Sequence, residues 1–177
     1  MSIFYYDDLL AYYEMNYMWN KALDYLERLY SERREPQILY SLIGFSWFYL
    51  VEGPLVSKQY ENDQDETALI MWKKYIDVGK IEASDDPLFN YIAGYTLSLH
   101  GIYINDRYEA EGSRLMKLCS SLAKDTNLKQ LADNFLLNEY AEHYTPICNG
   151  ELICSQFFDG KSLLDEYFNE LFNPNMR

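Results

Sequence analysis

Apolar residues along this chain recur at the 3.6-residue spacing of helices that bury one face. From Met18 to Arg33, Leu23, Leu26, Leu29 and Tyr30 fall on one stripe, with Asp24, Glu27 and Arg28 on the other. Pro36 opens a second helix, at a first-turn position where its missing N–H costs nothing. That segment carries no formal charge as far as Val51, and Gly53-Pro54 is expected to end it. The polar stretch Ser57 to Asp65 predicts a linker. Helix resumes near Glu66, with Leu69, Trp72, Ile76 and Gly79 on one face and Lys73, Lys74 and Asp77 opposite. Asp85-Asp86 before Pro87 predicts an acidic cap followed by a proline-initiated helix to about Gly101, again without formal charge.

A third pair follows. Arg107 to Lys124 groups Leu115, Leu118 and Leu122; Asp125-Thr126-Asn127 reads as a turn and cap; Leu128 to His143 groups Leu131, Phe135 and Leu136. Pro146 to Gly160 reads as an irregular loop, and Ser162 to Phe172 as a short closing helix. The expectation is an all-α fold of about seven helices in stacked antiparallel hairpins. These form one domain over residues 1–177, with hairpins near 17–52, 66–101 and 107–143 and a closing helix near 162–172.

The hairpins share a partial repeat. Trp19-x-Lys21-x-Leu23-Asp24 matches Trp72-x-Lys74-x-Ile76-Asp77, and Pro36, Tyr40 and Gly44 are echoed by Pro87, Tyr91 and Gly94. In each copy an amphipathic helix precedes an uncharged one. Stacked hairpins produce this alternation, because the uncharged helix lies between neighbours while the charged helix keeps one face in water. On these residues the chain resembles tetratricopeptide-like helical repeats over most of residues 17–143. The resemblance implies a right-handed α-α superhelix, with Gly44 and Gly94 placed for close helix approach. The two copies lie further apart than the 34-residue period of that repeat.

Charge and composition narrow the function. Acidic residues outnumber basic ones by 28 to 15, a formal charge of −13. Such a field repels nucleic-acid phosphate and anionic lipid and attracts basic proteins; the plainer account is solubility alone. Eighteen tyrosines are too many for one small core, so some are expected at the surface, where tyrosine serves as an interface anchor. The N-terminal residues carry no basic region and apolar stretch of the kind a leader has, and Pro36 to Val51 is too short to cross a ~30 Å hydrocarbon layer. With three cysteines, too few for a disulfide framework, the expected setting is the reducing cytoplasm.

The familiar catalytic signatures are missing: there is no phosphate-cradling glycine loop and no Gly-x-Ser-x-Gly elbow. His100 and His143 stand in separate hairpins. His143, Cys148 and Cys154 fit no standard zinc spacing, and Cys119 reads as a core residue. The expectation is a protein without catalytic residues, metal or cofactor. The remaining chemistry is electrostatic recognition. Tyr60, Glu61, Asp63, Asp65 and Glu66 combine an aromatic anchor with four carboxylates, and Asp85 and Asp86 form a second cluster at the far end of the following helix. A solvated loop with helix caps is the alternative for these acids. Tyr5, Tyr6, Tyr12, Tyr13 and Tyr17, with Asp7, Asp8 and Glu14, form a second aromatic-rich segment, read as a capping helix or a partner surface.

In size, charge and character the chain resembles bacterial immunity proteins of contact-dependent growth-inhibition systems. The resemblance implies a cognate toxin domain as partner, a basic nuclease whose substrate groove the acids and phenols block. It implies neither nucleic-acid nor membrane binding. Two alternatives stay open: a repeat-type adaptor or secretion chaperone that holds a peptide, and an enzyme with a carboxylate site between helices. A deeply buried acidic pair in a pocket would favour the latter.

Overall fold

The computed structural model describes residues 2–56, 63–138, 157 and 161–172. Among them are eight α-helices and no strand: α1 (Asp8–Met15), α2 (Trp19–Arg33), α3 (Pro36–Val56), α4 (Asp63–Glu82), α5 (Pro87–His100), α6 (Asp106–Leu122), α7 (Thr126–Asn138) and α8 (Leu163–Phe172). A 3-10 turn, Gly101–Tyr103, joins α5 to α6. The segment before α2 thus contributes a helix of its own, capped by Asp7, whose carboxylate accepts from the Leu10 N–H.

Two boundaries differ from expectation. Helix α3 runs past Gly53-Pro54 to Val56, and α4 begins at Asp63 rather than near Glu66. A proline forfeits one backbone hydrogen bond, yet its φ near −65° is helical, so the pair weakens the last turn without stopping it. At α4, Asp63, Asp65 and Glu66 fall in the first turn, where the positive end of the helix dipole favours carboxylates. The predicted cap at α5 is present: Asp86 accepts from the Leu88 N–H at 2.9 Å ahead of Pro87.

The uncharged helices form the spine. Every residue from Ile38 to Tyr49 in α3 and from Phe89 to Leu97 in α5 is buried. α3 touches α5, and α5 touches α7, while α2, α4 and α6 flank this row with their charged faces outward. α5 and α6 make the most extensive helix pair. Their backbones cross where neither carries a side chain: a Cβ on Gly94 would lie 2.9 Å from the Met116 nitrogen, and one on Gly112 2.4 Å from the Ser98 nitrogen. Helix α8 folds back on the spine. Phe168 meets Trp47 of α3 and Tyr95 of α5 with ring centroids 5.8 and 5.5 Å apart, and Phe4 of the N-terminal arm at 5.4 Å. The arm is tied to the same region by Ile3 N–H donating to the Phe157 carbonyl at 2.9 Å. Among the described residues no helix is long and apolar enough to cross a membrane.

Candidate functional site

The acidic clusters singled out from the sequence stand at opposite ends of one helix. Asp63, Asp65 and Glu66 stand at the start of α4, with Glu66 exposed, and Asp85 and Asp86 follow its end. A helix of 20 residues separates them by about 30 Å. Tyr60 and Glu61 lie outside the described residues, as do His143, Cys148 and Cys154. Asp85 is exposed. Asp86 is already occupied: besides capping α5, its carboxylate accepts a short hydrogen bond from the Tyr40 hydroxyl of α3.

Asp86 belongs to a wider pattern. The flanking helices are joined to one another by phenols and cations donating to carboxylates. Tyr30 of α2 donates to Glu82 of α4 at 2.7 Å, beside the Arg34–Glu82 ion pair. Tyr75 of α4 donates to Glu27 of α2 at 3.0 Å, where Lys74 also pairs with Glu27. Tyr108 of α6 donates to both oxygens of Asp77 at 3.0 Å. Tyr5 and Tyr25 converge on one oxygen of Asp7 at 2.6 and 2.5 Å. Burial and the adjacent carboxylates push the Tyr30 hydroxyl up to about 12 and raise those of Tyr25, Tyr40 and Tyr75 further, so all remain donors. Burial alone would raise Asp7 and Asp77, but the donated hydrogen bonds outweigh it and hold both below the usual carboxylate range. Much of the tyrosine and acid content therefore fastens helix to helix. Tyr12, Tyr17 and Tyr103 remain more than half exposed.

Sequence patterns missed a buried acidic pair where the arm, α1 and α8 meet. Glu14 is 2% exposed and Asp165 0%. Asp165 is well held: Ser2 Oγ donates to it at 2.7 Å, Ser162 Oγ donates at 3.3 Å, and the Asp165 N–H donates to Ser162 Oγ at 2.9 Å. Among the described residues Glu14 Oε2 accepts only a long bond from the Leu163 N–H, 3.4 Å, and its Oε1 is enclosed without a partner. Burial, reinforced by the charge of Asp165, pushes the Glu14 carboxyl up to about 7, so it holds a proton over most of the acidic range. The motif Ser162-x-x-Asp165 is a capping-box signature that could have been read at the start of α8. Glu14 sits one turn after buried Leu10, a position where periodicity alone expects an apolar residue.

Glu14 has the raised pKa of a general acid, but a substrate cannot touch a group so enclosed unless α8 moves. The pair's observable work is to seat α8 against the N-terminal arm. His100 has a similarly local role. Trp47 Nε1 donates to its Nδ1 at 3.1 Å, so that nitrogen carries no proton, and burial lowers its basicity. Cys119 is fully buried and its thiol is pushed up to about 12, which makes it an unreactive core residue. Among the described residues no three His, Cys, Asp or Glu side chains gather as metal ligands. A shallow groove of about 330 Å³ runs between α1 and α2, lined by Tyr13, Lys21, Asp24, Tyr25 and Arg28.

Set against protein-family models, curated proteins and solved structures, the chain matches none.

Proposed function

We propose that this chain is an immunity protein that binds and neutralises a cognate bacterial toxin domain, a basic nuclease, in the cytoplasm. The observation that carries this reading is the net negative charge. Arg34, Lys73, Lys74, Lys80, Arg114 and Lys129 are each paired with a carboxylate of the same chain. Asp8, Asp24, Glu32, Glu35, Glu66, Asp85 and Asp106 are exposed. Six of the fifteen cations are thus compensated within the fold; Lys21, Arg28, Arg33, Arg107, Lys117 and Lys124 are exposed among these acids, so it is the net charge of −13 that supports the reading. Such a surface accelerates encounter with a cationic partner and rejects anionic ones.

In this mechanism carboxylates take the place of nucleic-acid phosphates in the toxin's groove. The segment Tyr60, Glu61, Asp63, Asp65 and Glu66 is the contact favoured for that role; of the second cluster, at the other end of α4, Asp85 is exposed, while Asp86 is engaged by Tyr40 and the cap of α5. The test is binding of the purified chain to the toxin domain encoded by the neighbouring reading frame, with nuclease activity as readout. Charge reversal at Glu61, Asp63, Asp65 and Glu66 is expected to slow association and flatten its salt dependence. Unchanged binding and protection would remove that segment from the interface.

A further inference from the structure

Helix α8 lies across the spine on a shaped seat. Leu164 and the Phe4 ring enter a notch that Gly44 leaves in α3, where a Cβ would lie 3.0 Å from Leu164 Cδ2 and 3.0 Å from Phe4 Cε1. Tyr167 and Phe168 cover Trp47, with ring centroids 5.6 and 5.8 Å away, and Phe168 also covers Tyr95. Its polar ties run along one edge, from Ser2 Oγ to Asp165 and from the Leu163 N–H to Glu14. The neighbours on that edge are fastened elsewhere. The Tyr5 N–H donates to Ser41 Oγ of α3 at 2.7 Å, and Tyr25 of α2 holds the Asp7 cap of α1 at 2.5 Å. Residues 2–4 and α8 can therefore move together while Tyr5 and α1 stay in place.

Under that edge the Glu14 carboxyl is badly placed to carry a charge. Among the described residues, one of its oxygens receives a single long bond from a neutral amide and the other receives none. The elements packed around it offer no compensation. Helix α8 presents buried Asp165 and turns Glu166 to solvent. The arm presents the Tyr6 phenol, whose proton burial and these acids hold more firmly, and Asp7, already engaged by Tyr5, Tyr25 and the Leu10 N–H. Asp8 of α1 and Lys161 ahead of α8 are exposed, and Lys21 and Arg28 of α2 line the open groove beside Tyr13. α3 has no formal charge from Pro36 to Val51, and His100 of α5 accepts from the Trp47 indole. The charge that acts on Glu14 is that of Asp165, and it is negative. An enclosed carboxylate in such a setting is far costlier than a neutral carboxyl, so the edge closes best over a protonated Glu14. Burial accordingly pushes its pKa up from 4.5 to about 7.

We propose that α8 is a proton-held strap: it lies across α3 and α5 while Glu14 is neutral, and it lifts with residues 2–4 as rising pH draws that proton away. Lifting admits water to Glu14, which in the open form titrates as a free glutamate. The open population then rises about tenfold for each pH unit between 4.5 and about 7, and levels above that, where both forms are ionised. Trp47 and Tyr95 lose their cover while the hairpins beneath stay folded. Such local opening of a terminal helix is a sub-global event, cheaper than unfolding the whole chain. The strap is a property of the isolated chain and stands or falls independently of the toxin partner.

The test is amide hydrogen exchange on the full chain between about pH 5 and about pH 8.5, read as protection relative to the intrinsic rate. Residues 163–168 are expected to be at least a hundredfold less protected than residues 89–97 of the spine, which open only with the whole fold. In wild type the protection of residues 163–168 should fall about tenfold per pH unit up to about pH 7 and then level. Glu14→Gln has no proton to lose and should hold that protection constant across the range. Ser2→Ala, which removes the tie to Asp165, should lower it several-fold at every pH with the slope intact, and this variant carries the test if the glutamine one does not fold. The strap is overturned if residues 163–168 are as protected as residues 89–97, if their protection is flat with pH in wild type or in Ser2→Ala, or if the slope survives in Glu14→Gln.

Discussion

Replacing Glu14 by glutamine should stabilise this protein at neutral and alkaline pH, and by an amount that grows with pH. Glutamine keeps the shape, retains an acceptor for the Leu163 N–H, and supplies a donor where the protonated carboxyl has one. In the unfolded chain a glutamate titrates near 4.5; here burial pushes it up to about 7. Below 4.5 both states hold the proton and the group costs nothing. Between 4.5 and about 7 the unfolded chain releases it while the folded chain keeps it, so wild type loses stability as pH rises. Each pH unit in that window is worth 1.36 kcal/mol, and the full shift amounts to roughly 3 kcal/mol, constant above it. The group is 2% exposed, so solvent screening does little to reduce this figure.

Urea unfolding of wild type and E14Q at pH 5.5, 6.5, 7.5 and 8.5 measures the effect. The difference between the proteins should grow from about 1 kcal/mol at pH 5.5 to roughly 3 kcal/mol at pH 8.5. Comparing the two proteins cancels groups they share, including His100, whose lowered pKa acts with the opposite sign. Parallel stability curves, or a glutamine variant less stable at pH 8.5, would refute the assignment of a buried, proton-holding carboxyl.

Other outcomes follow from the helix contacts. Gly112→Ala places a Cβ against the Ser98 backbone and should cost about 3 kcal/mol, lowering the melting temperature by roughly 10 °C in calorimetry. Tyr40→Phe deletes the donor to Asp86 while leaving the cap of α5, and should cost about 1 kcal/mol in urea unfolding. Tyr25→Phe removes one of two phenols from Asp7. Because the folded carboxyl lies below its unfolded value, its contribution exists above about pH 4 and is lost as pH falls; the variant should acid-unfold at higher pH by circular dichroism. The His100 imidazole should titrate below 6.5 by NMR, with its stabilising effect present above 6.5 and lost as pH falls.

The architecture was readable because its signals are local. Pro36, Pro87 and Asp86 mark helix starts through their own backbone chemistry, and the charge-free runs after each proline became the buried spine. The end of α3 was misplaced because Gly53-Pro54 weakens a helix without requiring it to stop. The fate of the tyrosines was not readable. Tyr30 meets Glu82, and Tyr75 meets Glu27, across about fifty residues of chain, so no spacing rule reveals that these phenols fasten neighbouring helices. Glu14 was hidden for the same reason: its burial depends on α8, which arrives from the other end of the sequence. Of the acidic clusters, the positions at either end of a helix could be read from the sequence, but their separation of about 30 Å follows only from the full length of α4.

The central claim, that outward-facing negative charge recruits a basic toxin domain, is tested most directly by stopped-flow association of the two purified proteins across a salt series. The account predicts a rate that falls at least tenfold between about 50 mM and about 500 mM salt, as the screening length shrinks. A rate indifferent to salt, or no complex at any ionic strength, would contradict it.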